Sequence, residues 1–385
     1  MPSKYVYYYR CPQHRNNYVL SFAFAFDRED DVYQFAFSYP YSYSRLQKYL
    51  ELRQTQFPEI FKRETIGQSV QERRLEFVTI KEEVPEAEAR SQRKLVFVTA
   101  RVHPGESPAS YVCQGLMDYL VSNTPIARCL RRNLVFKFIP MLNPDGVFVG
   151  NYRTSLLGAD LNRCWQDPSP LAHPTLHATK KLLETLASNK EDDLSLYLDL
   201  HAHTGLLGTF VYGNSYDDVY RFEHHALFPK HLSNCAEDFS SESTVYNRDP
   251  GKSGTSRRSL TSLLPDKVNC YTLEVSFYGY PKHGSAKNII PYLEEDYLRL
   301  GESICRAILD YYNATGFIPS SDMPAGTSAA ASSRGEKNKG KRESRLGTRV
   351  PPGSHYSSKR LPQGRAKMPS SSTSTRSTAR ANSNN

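Results

Sequence analysis

The segment KLVFVTARV, residues 94–102, is an apolar run with the length of a buried strand, and it decides the fold class. Ser107-Pro108 follows it and predicts a helix to about residue 121, because proline suits the first helical turn. The alternation of strands and helices then continues. We predict strands at NLVFKFIPML (133–142), LSLYLDLH (194–201), TFVYGN (209–214) and NCYTLEVSF (269–277), and helices at 174–186 and 290–312. This pattern predicts an α/β domain with a central sheet.

Residues 1–45 have a different pattern. Aromatic residues alternate with other residues in YVYYYR, YVLSFAFAF and VYQFAFSY, which is typical of antiparallel strands. A polar segment with a helix follows from Ser44 to about Arg74, and LEFVTI (75–80) is a further strand. We therefore predict a small β domain over residues 1–45, the α/β domain over 46–319 and a tail over 320–385.

The charge of the chain lies mainly in that tail. The whole sequence has 49 Lys and Arg against 40 Asp and Glu, a net charge of +9. Residues 320–385 hold 13 basic and 3 acidic residues, a net charge of +10, so residues 1–319 carry −1. The tail has a single aromatic residue, Tyr356, and its composition predicts disorder. Its charge favours either solubility or docking onto an acidic polymer, whereas the neutral body argues against nucleic-acid binding.

Cysteine usage and hydropathy limit the compartment. The seven cysteines are odd in number, widely spaced and form no Cys-x-x-Cys pair, which favours a reducing cytosol. The amino-terminal sequence MPSKYVYYYR has no apolar signal-peptide core, and the apolar runs are too short to span a bilayer. The sequence therefore predicts a cytosolic protein without membrane association.

Four polar side chains lie at or near the ends of predicted strands. His103 and Glu106 follow strand 94–102, His201 ends strand 194–201, and Glu274 interrupts the apolar strand 269–277. Two histidines and a glutamate form a three-ligand zinc site that leaves a fourth position for water. A buried glutamate beside such a water would serve as its base. The alternatives are hydrogen-bonded structural histidines and an ion pair between Glu274 and an arginine.

Other candidate sites have weaker patterns. His173 and His177 lie four residues apart but lack the His-Glu-x-x-His sequence of a helical zinc site. His203 shares a face with His201 if the strand continues, and a loop would carry it away. Gly251-Lys252-Ser253 resembles the end of a phosphate loop, but position 246 is tyrosine rather than the required glycine. We therefore expect no nucleotide.

Several arginines follow these polar residues along the chain. Arg153 lies in GNYR, Arg163 follows Asn162 in DLNR, and Arg257 and Arg258 lie in a GTSRR stretch predicted to be flexible. The guanidinium group matches a carboxylate with two parallel hydrogen bonds. Arginines near zinc would indicate an anionic substrate, and the alternative for each is a surface ion pair.

The motifs HPGE, NPDG, GNYR, DLNR, DLHAH and TLEVSF, in this order, resemble the M14-type zinc carboxypeptidases. VYYYRCP, FDREDDVYQFAF and GTSRR resemble more specifically the cytosolic carboxypeptidases, also called ATP/GTP-binding-protein-like. The resemblance covers about residues 4–315. It implies a mixed-sheet α/β carboxypeptidase domain preceded by a small antiparallel β-sandwich. We expect this chain to start within that sandwich, so that the first strands of the sandwich are missing.

The resemblance also implies a role for each candidate residue and one bound Zn²⁺. His103, Glu106 and His201 would bind the zinc ion, Glu274 would act as the general base, and Arg153 would stabilise the oxyanion. Asn162 and Arg163 would bind the terminal carboxylate of the substrate. Arg257, with Arg258, would bind a glutamate side chain. Tyr246 is the candidate for the tyrosine that closes over substrate in classical carboxypeptidases.

The implied reaction is removal of C-terminal glutamates, which shortens polyglutamate side chains and Glu-ending C-termini of tubulin and of other proteins with Glu-rich tails. It places the protein in the cytosol, at microtubules, centrioles or the basal body of the cilium, with no nucleic-acid or membrane partner. Two alternatives remain open. One is a zinc-dependent deacylase of small acyl-amino acids, and the other is a non-catalytic protein that binds microtubules through the basic tail.

Overall fold

A computed structural model describes residues 3–85, 92–189, 192–282 and 285–325. The strands are β1 Val6–Cys11, β2 Asn17–Phe22, β3 Phe61–Gln68, β4 Arg74–Ile80, β5 Arg93–Ala100, β6 Leu134–Ile139, β7 Asp192–His203, β8 Thr209–Asn214, β9 Val245–Asn247, β10 Asn269–Ser276, β11 Gly279–Lys282 and β12 Ser285–Pro291. The helices are α1 Tyr43–Gln56, α2 Ser107–Val121, α3 Pro125–Asn133, α4 Pro144–Val149, α5 Pro174–Ser188, α6 Val219–Cys235, α7 Ser256–Leu263 and α8 Glu294–Ala314.

The strands from β3 to β10 form one mixed sheet of eight strands in the order β3-β4-β6-β5-β7-β10-β8-β9. The four central strands β6, β5, β7 and β10 are parallel. Antiparallel neighbours flank them, with β4 beside β6 and β8 beside β10. The α/β prediction is confirmed. Because the central strands are parallel, their carboxyl ends meet at one edge of the sheet, where ligands bind in open α/β sheets.

Each face of the sheet has its own apolar core. Alternate residues of β5 point to opposite faces, so Val96 and Val98 pack with α2 and α8 on one side. Leu95 and Phe97 pack on the other side with α5 and α7. The near-continuous apolar sequence of β5 follows from this burial on both faces.

The amino-terminal region is a two-stranded antiparallel hairpin in which Val6 pairs with Phe22 and Cys11 with Asn17. The antiparallel prediction thus appears as β1 and β2. The third predicted segment, VYQFAFSY, does not form a strand. Its Phe35 ring packs edge-on against the ring of Phe24, with 5.2 Å between the ring centroids.

The structure corrects several local predictions. The polar segment after Ser44 contains β3 as well as a helix, because the strand's exposed edge position allows polar residues. NPDG forms the cap and first turn of α4. GTSRR leads into helix α7 and is not a flexible stretch. Residues 290–291 belong to β12, so the last long helix starts at Glu294.

The first residues of the predicted tail are ordered, whereas the composition of the tail predicts disorder. Ser320–Asp322 forms a 3-10 helix, and Met323 is buried against the core. The remainder of the predicted tail, from residue 326, lies outside the described residues. Within the described residues, none of the helices has the length and apolar character needed to cross a bilayer.

Candidate metal centre and its pocket

Three elements bring the four predicted strand-end residues together. His103 lies in the loop after β5, and Glu106 is the amino-terminal cap residue of α2. His201 lies near the end of β7 and is in register with Glu274 on the adjacent parallel strand β10. The carboxyl edge of the sheet therefore places all four side chains at one point, although they are 171 positions apart in the chain from first to last.

The loop HPGE is held in place by a buried arginine and a close backbone contact. Arg101 is 4% exposed, and its Nε donates to the carbonyl of Pro104 at 2.8 Å. The amide of Gly105 donates to the carbonyl of Tyr152 at 2.7 Å. A Cβ on Gly105 would lie 2.6 Å from that carbonyl oxygen, so glycine is required at this position.

His103, Glu106 and His201 offer ligand atoms that all lie within 4.8 Å of one another. His103 Nδ1 lies 2.7 Å from Glu106 Oε1, and His201 Nδ1 lies 3.1 Å from Glu106 Oε2. The backbone amide of Ala202 also donates to Glu106 Oε2 at 3.1 Å. The Nδ1 atoms of both imidazoles thus converge on one carboxylate.

The far side of each imidazole faces a further carboxylate. His103 Nε2 lies 3.1 Å from Asp160 Oδ1, and His201 Nε2 lies 2.8 Å from Asp199 Oδ2. A metal-binding histidine commonly donates its other ring N–H to a carboxylate, which fixes the tautomer. Two Nδ1 atoms and a carboxylate, supported in this way, fit the three protein ligands of a catalytic zinc site.

The charges in this cluster perturb each other. Burial lowers the pKa of His201, but Asp199 and Glu106 outweigh it, and the pKa lies well above its usual 6.5. For Glu106, burial raises the pKa, yet the two histidines bring it down to about 2. A metal ion must therefore displace protons from the histidines as it binds.

Glu274 has a different environment. Its Oε2 is buried and has no hydrogen-bond partner among the described residues, and no described arginine lies within 4.0 Å of its carboxylate oxygens, so the alternative of an ion pair does not apply. Burial is the largest cause that raises its pKa to about 7, with the nearby charge of Glu106 adding to it and His201 opposing it. An unpaired carboxylate beside a three-ligand set is the arrangement required of a proton acceptor.

These residues line a cavity of about 390 Å³. Its wall combines the three ligand residues and Glu274 with basic, hydroxyl and aromatic side chains: Tyr152, Arg153, Asn162, Arg163, His203, Thr204, Tyr212, Asn247, Lys252, Thr255, Arg257 and Thr272. The sequence analysis assigned seven basic or amide residues to the site. Six of them line this cavity, namely His103, His201, Arg153, Asn162, Arg163 and Arg257. Arg258 is the exception.

The arginines of the cavity differ in how they are held. Arg153 is bound to Asp160 through Nε at 2.9 Å and Nη2 at 2.8 Å, so it is linked through that carboxylate to His103. Arg163 is exposed and donates to the carbonyl of Asn162 at 2.8 Å. Asn162 is buried, and its Oδ1 accepts from the amide of Ser256 at 2.9 Å.

Arg257 lies on α7 and is only 4% exposed. Its Nη1 donates to the carbonyl of Gly213 at 2.6 Å and to Asn214 Oδ1 at 2.8 Å, and Nη2 donates to Asn247 Oδ1 at 3.1 Å. All of these acceptors are neutral, and no described carboxylate lies within 4.0 Å of the guanidinium. Burial, with a contribution from Arg258, lowers the pKa of Arg257 to about 10, so it stays charged at neutral pH.

Arg258 points elsewhere. It is absent from the lining of the cavity, and its Nη1 donates to Asn214 Oδ1 at 3.2 Å. Consecutive residues on a helix project about 100° apart, so only one of the two arginines faces the cavity. The structure thus places Arg257, but not Arg258, in the lining of the cavity, and the pairing of the two as substrate-binding residues stays a prediction.

Sequence reasoning missed several residues of the site. Asp160 and Asp199 were detectable only as neighbours of motif residues, the latter two positions before His201 on the same strand face. Tyr212 was hidden in an ordinary strand pattern and is opposite Thr272 in register. His203 was not missed: of the two possibilities left open for it, the strand continues, and it lines the cavity, where its Nδ1 accepts from the amide of Gly205.

Tyr246, the candidate closing tyrosine, lies away from the cavity. Its ring packs edge-on against Phe222 at 5.2 Å and lines a separate groove beside α6. Tyr212 and Tyr152 are the tyrosines that line the cavity of the metal centre among the described residues.

Comparison with known proteins agrees with this geometry. A family model described as zinc carboxypeptidase matches residues 46–298. Cytosolic carboxypeptidase 6 of Mus musculus is 53% identical over 324 residues, which cover 84% of this chain and 60% of that protein. Cytosolic carboxypeptidase 6 of Caenorhabditis elegans is 45% identical and is covered over 69% of its length.

The fold is also found in solved structures. A metallo-carboxypeptidase from Burkholderia cenocepacia superposes with a TM-score of 0.62 at 24% identity, covering 72% of this chain and 70% of that one. This likeness supports the fold. The chain spans 60% and 64% of the lengths of the mouse and human cytosolic carboxypeptidase 6 proteins.

Proposed function

This chain belongs to the zinc carboxypeptidase family, and we propose that it is a zinc metallocarboxypeptidase that removes glutamate from the carboxyl ends of protein chains. One observation carries the proposal. The cavity that holds the His-Glu-His set also holds Arg257, a buried cation without a described acidic partner. A buried charge of this kind is costly unless a ligand of opposite charge completes it.

His103, Glu106 and His201 would hold the zinc ion, with their tautomers fixed by Asp160 and Asp199. Bound zinc supplies Lewis acidity, which lowers the pKa of a water to about 7 and polarises a carbonyl group. Glu274 accepts the proton of the attacking water at its unpartnered Oε2 and then delivers that proton to the leaving amine.

The remaining polar residues orient the substrate. Arg153 uses Nε and Nη2 to hold Asp160, and Nη1 is then available to donate to the developing oxyanion. Asn162 and Arg163 stand at the same cavity and would bind the free terminal carboxylate. This requirement for a free carboxylate restricts cleavage to the last residue of a chain.

Arg257 would receive the side chain of that last residue. Its guanidinium is held in position by neutral acceptors, so a glutamate carboxylate adds the missing opposite charge without competing with an internal ion pair. Lys252 lines the same cavity and is exposed, which adds positive potential at the opening.

The substrates that fit this site best are chains of consecutive glutamates, and polyglutamylated or Glu-ending tubulin tails are such substrates. Similarity to proteins named cytosolic carboxypeptidase 6 supports carboxypeptidase activity and a cytosolic location. The net charge of +10 in residues 320–385 would attract acidic tubulin surfaces and so favour microtubules, centrioles or the basal body of the cilium.

The test is a peptide panel with the zinc-loaded protein. We expect release of glutamate from peptides that end in several glutamates, much slower release from the same peptides ending in lysine or leucine, and none when the terminal carboxylate is amidated. Hydrolysis of acyl-amino acids in preference to peptides would instead support a deacylase. Microtubule binding without any hydrolysis would support the non-catalytic alternative.

A further inference from the structure

Asp199 occupies a central position between the metal ligands and the substrate pocket. It lies on β7 two residues before His201 and is fully buried. Its Oδ1 accepts from Thr99 Oγ1 at 2.8 Å. Its Oδ2 faces His201 Nε2 at 2.8 Å and also accepts from Ser256 Oγ at 2.5 Å. One oxygen atom therefore serves both a metal ligand and the first residue of α7.

Ser256 starts the helix that carries Arg257 and is completely buried. Its backbone amide donates to Asn162 Oδ1, and the Nδ2 of that asparagine lies 3.5 Å from His201 Nε2. The start of α7 is thus hydrogen-bonded to Asp199, which accepts from His201, and to Asn162, whose Nδ2 lies beside the same imidazole. The residues expected to bind the metal and the substrate share one buried network.

We infer that Asp199 is a positioning residue that couples zinc binding to recognition of the terminal glutamate. Because Oδ2 accepts the Nε2 proton of His201, Nδ1 is the nitrogen that binds a metal once its own proton is displaced. Because the same oxygen accepts from Ser256, a shift of His201 on metal binding changes the bond that places α7 and Arg257. The part of this inference that concerns glutamate depends on the function proposed above.

Coupling of this kind is reciprocal. If zinc improves the placement of Arg257, then loss of the Ser256 hydroxyl must weaken zinc binding and glutamate recognition together. Low local dielectric strengthens such a bond, because every member of the network is buried. A serine that only stabilised the fold would alter the melting temperature and leave both binding properties unchanged.

The experiment compares Ser256→Ala with Ser259→Ala. Ser259 lies on the same helix and is also buried, but its hydroxyl makes no hydrogen bond to another described side chain. Zinc affinity is measured on the chelator-stripped protein by competition with a chromophoric chelator. The kinetic readout is KM and kcat for paired peptides ending in Glu and Gln, and circular dichroism checks the fold of each variant.

For Ser256→Ala we expect roughly 3- to 10-fold weaker zinc binding and a several-fold loss of the Glu-over-Gln preference, carried mainly by KM, since one hydrogen bond to a charged group is removed. Asp199→Asn should weaken zinc binding by about 10- to 100-fold, as for other partners of metal-binding histidines. Ser259→Ala should match wild type in both readouts.

Two results would overturn the inference. Unchanged zinc affinity in Asp199→Asn would remove Asp199 as a positioning residue, and a change in only one of the two properties in Ser256→Ala would remove the coupling. Failure of the proposed function gives a different result. A wild-type protein without a preference for Glu over Gln would contradict the glutamate assignment, while the zinc measurements would still test Asp199.

Discussion

Replacement of Arg257 by methionine should abolish the proposed preference for glutamate over glutamine at the end of a peptide. Methionine keeps an unbranched apolar stem and removes the charge and all donors. The two substrates differ in charge and are nearly equal in size. A change in their ratio therefore reports the interaction between the guanidinium and the carboxylate, and it cancels effects on zinc or on the general base.

The magnitude follows from the burial of Arg257. Its pKa falls from 12.5 to about 10, chiefly through burial, and one pKa unit corresponds to about 1.4 kcal/mol. Burying this charge thus costs about 3 kcal/mol, which a bound carboxylate would largely offset. Since 1.4 kcal/mol is about tenfold in rate or affinity, the wild-type ratio of kcat/KM for Glu over Gln should be on the order of 100, and the variant ratio close to one.

The assay uses peptides that differ only in the last residue, with kcat/KM obtained from the released amino acid. Arg257→Met also leaves acceptors such as the carbonyl of Gly213 without a donor, so stability is checked by thermal unfolding and zinc content. Arg257→Lys retains the charge and should give an intermediate ratio. A folded, zinc-loaded Met variant that still prefers Glu by 100-fold would refute this account of specificity.

Three further predictions concern the base, the terminal carboxylate and pH. Glu274→Gln should reduce kcat by about 10²- to 10⁴-fold with full zinc content, and a wild-type rate would exclude Glu274 as the base. Arg163→Ala should raise KM roughly tenfold for peptides with a free carboxylate, because Arg163 is exposed and the charged bond is partly screened; an unchanged KM would place that role elsewhere. His225 is fully buried, its pKa is lowered to about 3 by burial, and its Nε2 accepts from the amide of Asn214 at 2.9 Å. As the pH falls below 6.5, this histidine takes up a proton in the unfolded chain but stays neutral in the folded protein until about pH 3. The free energy of unfolding of chelator-treated protein should therefore decrease by up to about 1.4 kcal/mol per pH unit from pH 6.5 down to 3, and the contribution of His225 should be complete above pH 6.5. Urea unfolding at several pH values measures this slope, which His225→Gln should reduce; an equal slope in both proteins would contradict it.

Much of the site was predictable because its ligands follow strands in recognisable motifs. His103, Glu106, His201 and Glu274 stand at strand ends or interrupt an apolar strand, and parallel strands end at the same edge of a sheet. The sequence analysis did not predict the amphipathic helix α7, because Gly254, Thr255 and Ser256 before the two arginines suggested a loop. Tertiary burial of one face, including Leu260, makes that segment helical.

The sequence by itself determined the α/β class, the family and the identity of the candidate zinc ligands, because these depend on local periodicity and on ordered motifs. Only the tertiary structure decided that Arg257 lines the pocket while the adjacent Arg258 does not. It also decided that Tyr246 lies in a separate groove. It also placed Asp199 against both His201 and Ser256. The physical reason is that helix phase, strand register and buried hydrogen bonds join residues far apart in the chain, and no local pattern records such contacts.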